Sequence, residues 1–167
     1  HTFSVRAIDA VNNIDSTPAT RAWTVDALPP AVTSVTSTTP NDVYGIGATI
    51  NVTVNFNESV TLTGGSLQVS LNSGATVTIA PFSGVSASGA YVVGAGQNAA
   101  DLDSLSLTLT AGATLRDAAG NNAILTIPTG QSLANLHDIV IDTTAPVPPT
   151  VTNPLTDTTV PSTTTTL

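Results

Sequence analysis

The segment 50–56 reads INVTVNF, so that apolar and polar residues alternate along it without a break. This alternation predicts a β-strand with one buried face, because successive side chains of a strand point to opposite sides of the sheet. The segments 67–71 (LQVSL) and 105–109 (LSLTL) alternate in the same way. Together the three strands predict a hydrophobic core whose inward side chains are Ile50, Val52, Val54, Phe56, Leu67, Val69, Leu105, Leu107 and Leu109.

Shorter segments of strand-like composition lie between turns rich in Gly and Asn. They span 32–38, 75–80, 89–94, 123–127 and 138–141. Several short strands at this spacing, rich in Thr and Val, are typical of an antiparallel β-sandwich. We therefore predict an all-β fold of two packed sheets, with a small β-barrel as the alternative.

The ionisable residues of the chain are few and mostly acidic. Eleven Asp and Glu residues oppose three Arg residues, the net charge is −8, and there is no Lys or Cys. Lysine and thiol catalysis are therefore excluded, and the charge argues against nucleic acid and direct membrane insertion as partners. Paired carboxylates could serve glycoside hydrolysis, but aromatic residues, the usual sugar platforms, make up only 4% of the chain. We expect no enzyme activity and cations as binding partners.

Two parts of the chain resemble each other. Residues 9–13 read DAVNN and residues 117–121 read DAAGN, and each is followed by a strand-like segment that ends in an aspartate, Asp26 or Asp142, before a run of prolines. Proline linkers are stiff, so we expect a fairly rigid tandem array. The repetition predicts three parts. These are the C-terminal strands of a preceding repeat at 1–27, a complete repeat at 28–142, and a linker with the first strand of a following repeat at 143–167.

Four segments carry a resemblance to a known family, and they read VNFNESV at 54–60, AGQNAADL at 95–102, GATLRDAAGN at 112–121 and IDTTAP at 141–146. Together they resemble the tandem immunoglobulin-like repeats of large bacterial surface proteins and adhesins. The resemblance implies an extracellular sandwich that is stacked in long fibres and often stiffened by calcium at the junctions. The chain departs from the family at Asn12, where glycine is frequent, and at Ser59, where proline is frequent.

Acidic residues at the entry end of the complete repeat are candidate calcium ligands. In a seven-stranded sandwich, the loop that carries Glu58 and the last hairpin, with Asp117 and Asn121, fall at the pole where the chain enters, beside Asp26 on the linker. Several carboxylates at one place repel one another unless they are neutralised, and oxygen ligands suit Ca²⁺. We predict a structural calcium site there, although Asp and Asn also serve simply to satisfy the backbone of their own turns.

A second acidic group is expected at the exit end. Asp101 and Asp103, in the loop 98–104, should point toward Asp142 and form half of the calcium site of the next junction. An ordinary solvated acidic loop is the equally weighted alternative.

Two functions remain open at this stage. The leading one is a structural spacer in an extracellular surface fibre or adhesin stalk, whose partners are the neighbouring repeats and whose distal domain binds a host or cell-surface ligand. The alternative is a secreted or surface module that binds a glycan or a protein through its exposed loops. The longest loops are rich in Gly, Ala, Ser and Asn and poor in aromatic residues, which favours the spacer.

Overall fold

The alternating segment 50–56 lies inside the longest strand of the computed structural model, which describes residues 1–149. The elements, in chain order, are β1 Thr2–Val5, β2 Ala19–Ala22, β3 Val32–Thr36, β4 Val43–Tyr44, β5 Thr49–Thr63, β6 Leu67–Leu71, β7 Thr76–Ile79, β8 Ser83–Val92, β9 Ser104–Leu109, β10 Thr114–Arg116, α1 Leu133–Leu136 and β11 Val140–Ile141. Nearly all regular structure is strand, so the predicted all-β class is confirmed. The expected first strand of a following repeat falls largely on 150–167, outside the described residues.

Strand β5 organises the larger sheet. It pairs antiparallel with β8 along one edge and with β3 and then β10 along the other. A second antiparallel sheet has the order β7-β6-β9. Two further pairs complete the topology: β1 with β2, antiparallel, and β4 with β11, which are parallel and so depart from the predicted antiparallel arrangement. The whole is compatible with a two-layer sandwich.

The two larger sheets bury their apolar faces in one core. The predicted inward residues of β5 and β6 all lie in this core, and Ile50, Val52, Val54, Leu67 and Val69 are fully buried. Burial of such side chains is the main favourable term in folding.

Where β8 faces β7 in this core, the chain has no room for a side chain. A Cβ added to Gly89 would lie 2.5 Å from Cγ1 of Val77, well inside van der Waals contact. The glycine in β8 therefore allows the two strands to approach closely.

The prediction that Leu105 lies in the core is wrong, since 62% of this residue is exposed. The pairing of β9 with β6 slips by one residue here, so that Ser104 and Ser106 are paired while Leu105, between them, has no partner. Such a bulge interrupts the alternation of side chains, and Ser104 is buried instead. Beyond the bulge the pattern resumes, with Leu107 buried and Leu109 packed against the core from a half-buried position.

Two other sequence-based expectations also need correction. The segment 123–127, predicted to be a strand, forms none, and its one β-bridge joins Ile124 to Ala31. The predicted loop that carries Glu58 is part of a strand, because β5 continues through residues 57–59 to Thr63. The pairing with β8 is interrupted there, and on the other edge the pairing with β3 ends at Phe56 and that with β10 begins at Thr61.

The hairpin of β1 and β2 is exposed throughout. Its two large aromatic residues, Phe3 and Trp23, are 57% and 47% exposed. Along with Val5 they lie on one face of the hairpin, because residues directly opposite in an antiparallel pair share a face. No second layer within residues 1–149 covers these residues, which explains their exposure.

The turns that begin at Asp9 and Asp117 are built alike. In each, the backbone N–H of the aspartate donates to the carbonyl oxygen of the asparagine four residues later, over 3.1 Å to Asn13 and 3.2 Å to Asn121. In each, Oδ1 of the aspartate accepts the backbone N–H of that asparagine at 2.8 Å. In each, the asparagine side chain donates to Oδ2, at 2.7 Å and 2.8 Å. The sequence similarity of 9–13 and 117–121 therefore corresponds to the same local structure.

One position of this turn requires a left-handed backbone. Its φ is 94° at Gly120 and 69° at Asn12. Glycine adopts this conformation freely, and asparagine is among the few other residues that tolerate it. The replacement of glycine by Asn12 therefore leaves the turn intact.

Candidate metal centre

Three carboxylates from distant parts of the chain meet beside the linker between β2 and β3. Asp26 lies on that linker, Glu58 lies in β5, and Asp117 opens the turn after β10. One carboxylate oxygen of each lies within 4.8 Å of those of the other two. The structure thus brings together three of the residues that the sequence suggested as ligands, and we call them the acidic triad.

Glu58 reaches the triad from the core-facing side of β5. The even-numbered residues of this strand from Ile50 to Leu62 face the core, and all of them are buried except Glu58, which is half-buried. It is the one ionisable residue in that row. A carboxylate at such a position loses part of its hydration, and a nearby cation would compensate for that loss. The unbroken even-numbered spacing from 50 to 62 would have revealed this orientation in the sequence.

The N-terminal end of β3 is held against Glu58's neighbour. The backbone N–H of Asn57 donates to the carbonyl oxygen of Ala31 over 3.0 Å, and the N–H of Ala31 donates to Oδ1 of Asn57 over 2.7 Å. Since Ala31 directly follows the linker, this pair of bonds brings the linker with Asp26 alongside β5.

Asp117 is the most enclosed member of the triad, with 8% of the residue exposed. Burial raises the pKa of its carboxyl, but hydrogen bonds from the side chain and backbone of Asn121 and from the backbone N–H groups of Gly120 and Ala119 outweigh burial, and the pKa is lowered. The carboxylate is therefore ionised at neutral pH. Hydrogen bonds to the charged form favour ionisation in this way.

Asp26 and Asn121 connect the linker to the turn. Oδ1 of Asp26 accepts the backbone N–H of Leu28 at 3.1 Å, which closes a local turn of the linker. The side-chain nitrogen of Asn121 donates to Oδ2 of Asp117 at 2.8 Å and lies 3.3 Å from the carbonyl oxygens of both Asp26 and Leu28. Asn121 was predicted to be a metal ligand, but it turns its amide nitrogen, a hydrogen-bond donor, toward Asp117 and the linker. The oxygens that lie close to one another are those of the three carboxylates.

The remaining predicted ligands do not join a cluster. Within residues 1–149, the acidic triad is the one group of three such side chains with oxygens this close. Oδ1 of Asp103 accepts the N–H groups of Ser104 and Ala134, and Oδ1 of Asp142 accepts that of Thr144, so both bond to backbone groups. The carbonyl oxygen of Asp101 accepts the amide of Asn72, while its Oδ1 is buried without a partner among the described residues.

The triad offers hard, anionic oxygen ligands and concentrates negative charge. The side chain of Arg116, next to Asp117 in the chain, donates through Nε to Asn122 over 2.8 Å and does not offset this charge by an ion pair within the described residues. Carboxylate oxygens are the ligands that Ca²⁺ takes, six to eight at a time. The chemistry of the donor set therefore fits a calcium ion, with water to complete the coordination.

No protein-family model, no curated protein and no solved structure matches this chain. Among residues 1–149, no helix has the length and apolar character needed to cross a membrane.

Proposed function

We propose that residues 28–142 are an immunoglobulin-like repeat in a tandem array, and that the array is a structural spacer of an extracellular bacterial surface fibre or adhesin stalk. Calcium stiffens the junction between repeats. The observation that carries the proposal is the composition of the acidic triad. Asp26 comes from the linker, while Glu58 and Asp117 come from the domain, so a cation held by all three ties the linker to the domain.

The tandem arrangement is supported by two recurring local structures. The turn at Asp9 makes the same hydrogen bonds as the turn at Asp117. Asp142 accepts the N–H of the residue two positions later, as Asp26 does. Asp9 and Asp15 make the same bond, so it is the place of each aspartate before a run of prolines that puts Asp142 at the end of this repeat, as Asp26 stands at the end of the preceding one. In this reading Asp142 supplies the linker carboxylate of the next junction.

The proposed role of the ion follows from charge and geometry. Three carboxylates within 4.8 Å repel one another, and a divalent cation converts that repulsion into attraction. Since the ion has ligands on both sides of the junction, it restricts the angle between repeats more than it stabilises either repeat. Extracellular calcium modules bind with a Kd of about 10⁻⁴ to 10⁻³ M, which suffices where calcium is millimolar.

Binding to the triad can be tested with terbium(III), a luminescent substitute for calcium. Trp23 is the single tryptophan of the chain and lies three residues before Asp26, at most about 10 Å away along the backbone. Excitation of Trp23 should therefore sensitise terbium emission, and calcium should compete it away. The variant Glu58→Gln should lose this emission, because it removes one charge of the triad without touching any turn.

The matched control is Asp138→Asn, which removes one charge from an exposed residue outside the triad and should leave the emission unchanged. Residual dipolar couplings then test the stiffening: calcium should raise the order of residues 1–26 relative to residues 28–142 in the wild-type chain. Emission that Glu58→Gln and Asp138→Asn reduce equally would rule out the site. Binding without any change in relative order would rule out the stiffening role.

A further inference from the structure

The linker is fastened to the domain from Pro30 onward by strong contacts. The backbone N–H of Ile124 donates to the carbonyl oxygen of Pro30 over 2.8 Å, and Ala31 is bonded to Asn57 on both its N–H and its carbonyl. Pro29 and Pro30 have no N–H and cannot donate to the domain themselves. The part of the linker that is free to act as a hinge is therefore 26–28.

One side chain of the domain bridges this hinge. The amide group of Asn121 has two N–H donors. One is taken by Oδ2 of Asp117 at 2.8 Å, and the other faces the carbonyl oxygens of Asp26 and Leu28, both at 3.3 Å. The two linker carbonyls lie on either side of residue 27, so the shared bond spans the hinge.

The equivalent turn indicates that this contact is additional to what the turn itself needs. Asn13 occupies the position of Asn121, and its side chain bonds to Oδ2 of Asp9 at 2.7 Å. Within residues 1–149, the side chain of Asn13 has no bond to a linker carbonyl. The turn forms in both places, whereas only Asn121 reaches a linker.

We infer that Asn121 is a positioning residue that clasps the linker onto the domain and sets the angle of the junction without any metal. The inference uses the proposed function only in treating 26–28 as the junction between repeats. The clasp preorganises the acidic triad, because it holds Asp26 next to Asp117. Calcium then binds to a junction that is already closed, and it tightens that junction without changing its direction.

The test measures the junction in the presence of a calcium chelator. Residual dipolar couplings of the 167-residue chain give the order of residues 1–26 relative to residues 28–142. In the wild-type chain residues 1–26 should keep part of their order relative to residues 28–142, although less than in calcium. Loss of one net hydrogen bond raises the ratio of open to closed junctions about two- to tenfold, so Asn121→Ala should lower the relative order of residues 1–26 clearly.

Asn13→Ala is the matched control, since it removes the same side-chain bond from asparagine to aspartate but no linker bond. It should leave the relative order unchanged. A wild-type junction that is already loose in chelator, or equal effects of Asn121→Ala and Asn13→Ala, would overturn the clasp.

The outcome in calcium separates the clasp from the metal site. If both exist, calcium should restore much of the order that Asn121→Ala loses. If calcium has no effect on any variant while Asn121→Ala still loosens the junction, the clasp stands and the proposed calcium role fails. If calcium tightens the wild-type junction and Asn121→Ala matches wild type in chelator, the calcium role stands and the clasp fails.

Discussion

The variant Glu58→Gln should be more stable than wild type without calcium and should lose that gain with calcium. Glu58 has a carboxylate oxygen within 4.8 Å of those of both Asp26 and Asp117. Two unit charges at that separation repel by about 0.9 kcal/mol in water and about 3.5 kcal/mol at an effective dielectric constant of 20. Because Asp26 is exposed and Glu58 is half-buried, the value near water is used for each pair. Without calcium, relief of the two repulsions should therefore make the variant about 1.7 kcal/mol more stable than wild type.

With calcium this gain should disappear. A ligand at ten to one hundred times its Kd stabilises the folded state by about 1.4 to 2.7 kcal/mol. The variant loses that stabilisation and keeps the relief of repulsion, so its stability should lie within about 1 kcal/mol of wild type. For a domain of this size, 1 kcal/mol shifts the melting temperature by about 4 °C.

The assay is thermal unfolding followed by circular dichroism in a chelator and in 10 mM calcium, a concentration of about ten or more times the expected Kd. Asp138→Asn controls for the change in net charge and should shift the melting temperature equally in the two buffers. An equal gain in melting temperature for Glu58→Gln in both buffers would refute the argument, as would a result that matches Asp138→Asn.

Three further outcomes follow from individual positions. Gly64→Ala should lower the stability by about 3 kcal/mol, because φ is 74° and the new Cβ would lie 2.6 Å from a backbone oxygen. Gly74→Ala has a similar φ of 83° but nothing within 4 Å of the new Cβ, so it should lower the stability by only about 1 kcal/mol. Equal unfolding midpoints in urea for the two variants would contradict this. Leu105→Thr should change stability by less than about 0.5 kcal/mol and Leu107→Ala should cost about 2 kcal/mol, and similar midpoints for the two would mean that the bulge is misplaced. Since the pKa of Asp117 lies below its ordinary 3.8, its contribution to stability should be complete above about pH 4 and lost as the pH falls through the lowered value. Asp117→Asn should flatten that loss in urea unfolding between pH 7 and pH 2, and an unchanged pH profile would refute it.

Local patterns in the sequence were sufficient to predict which face of the main strands is buried. In β5 and β6 every predicted inward residue is in the core, because the two-residue period of a strand depends on its own backbone alone. The same reasoning failed at Leu105, where a partner strand imposes a bulge. Alternation within one strand contains no information about how its pairing shifts against another.

Some features of the candidate metal centre likewise follow from local sequence, and others depend on the packing of distant segments. The two aspartate turns follow from local sequence, since their bonds join residues only four positions apart, and the excess of acidic groups over cations follows from composition. The meeting of Asp26, Glu58 and Asp117, and the absence of Asp101 and Asp103 from a cluster among the described residues, depend on tertiary packing. It also decided that Asn121 turns its nitrogen toward the linker. These placements depend on how β3, β5 and the last hairpin pack together, and contacts between residues far apart in the chain are set by that packing and not by any local period.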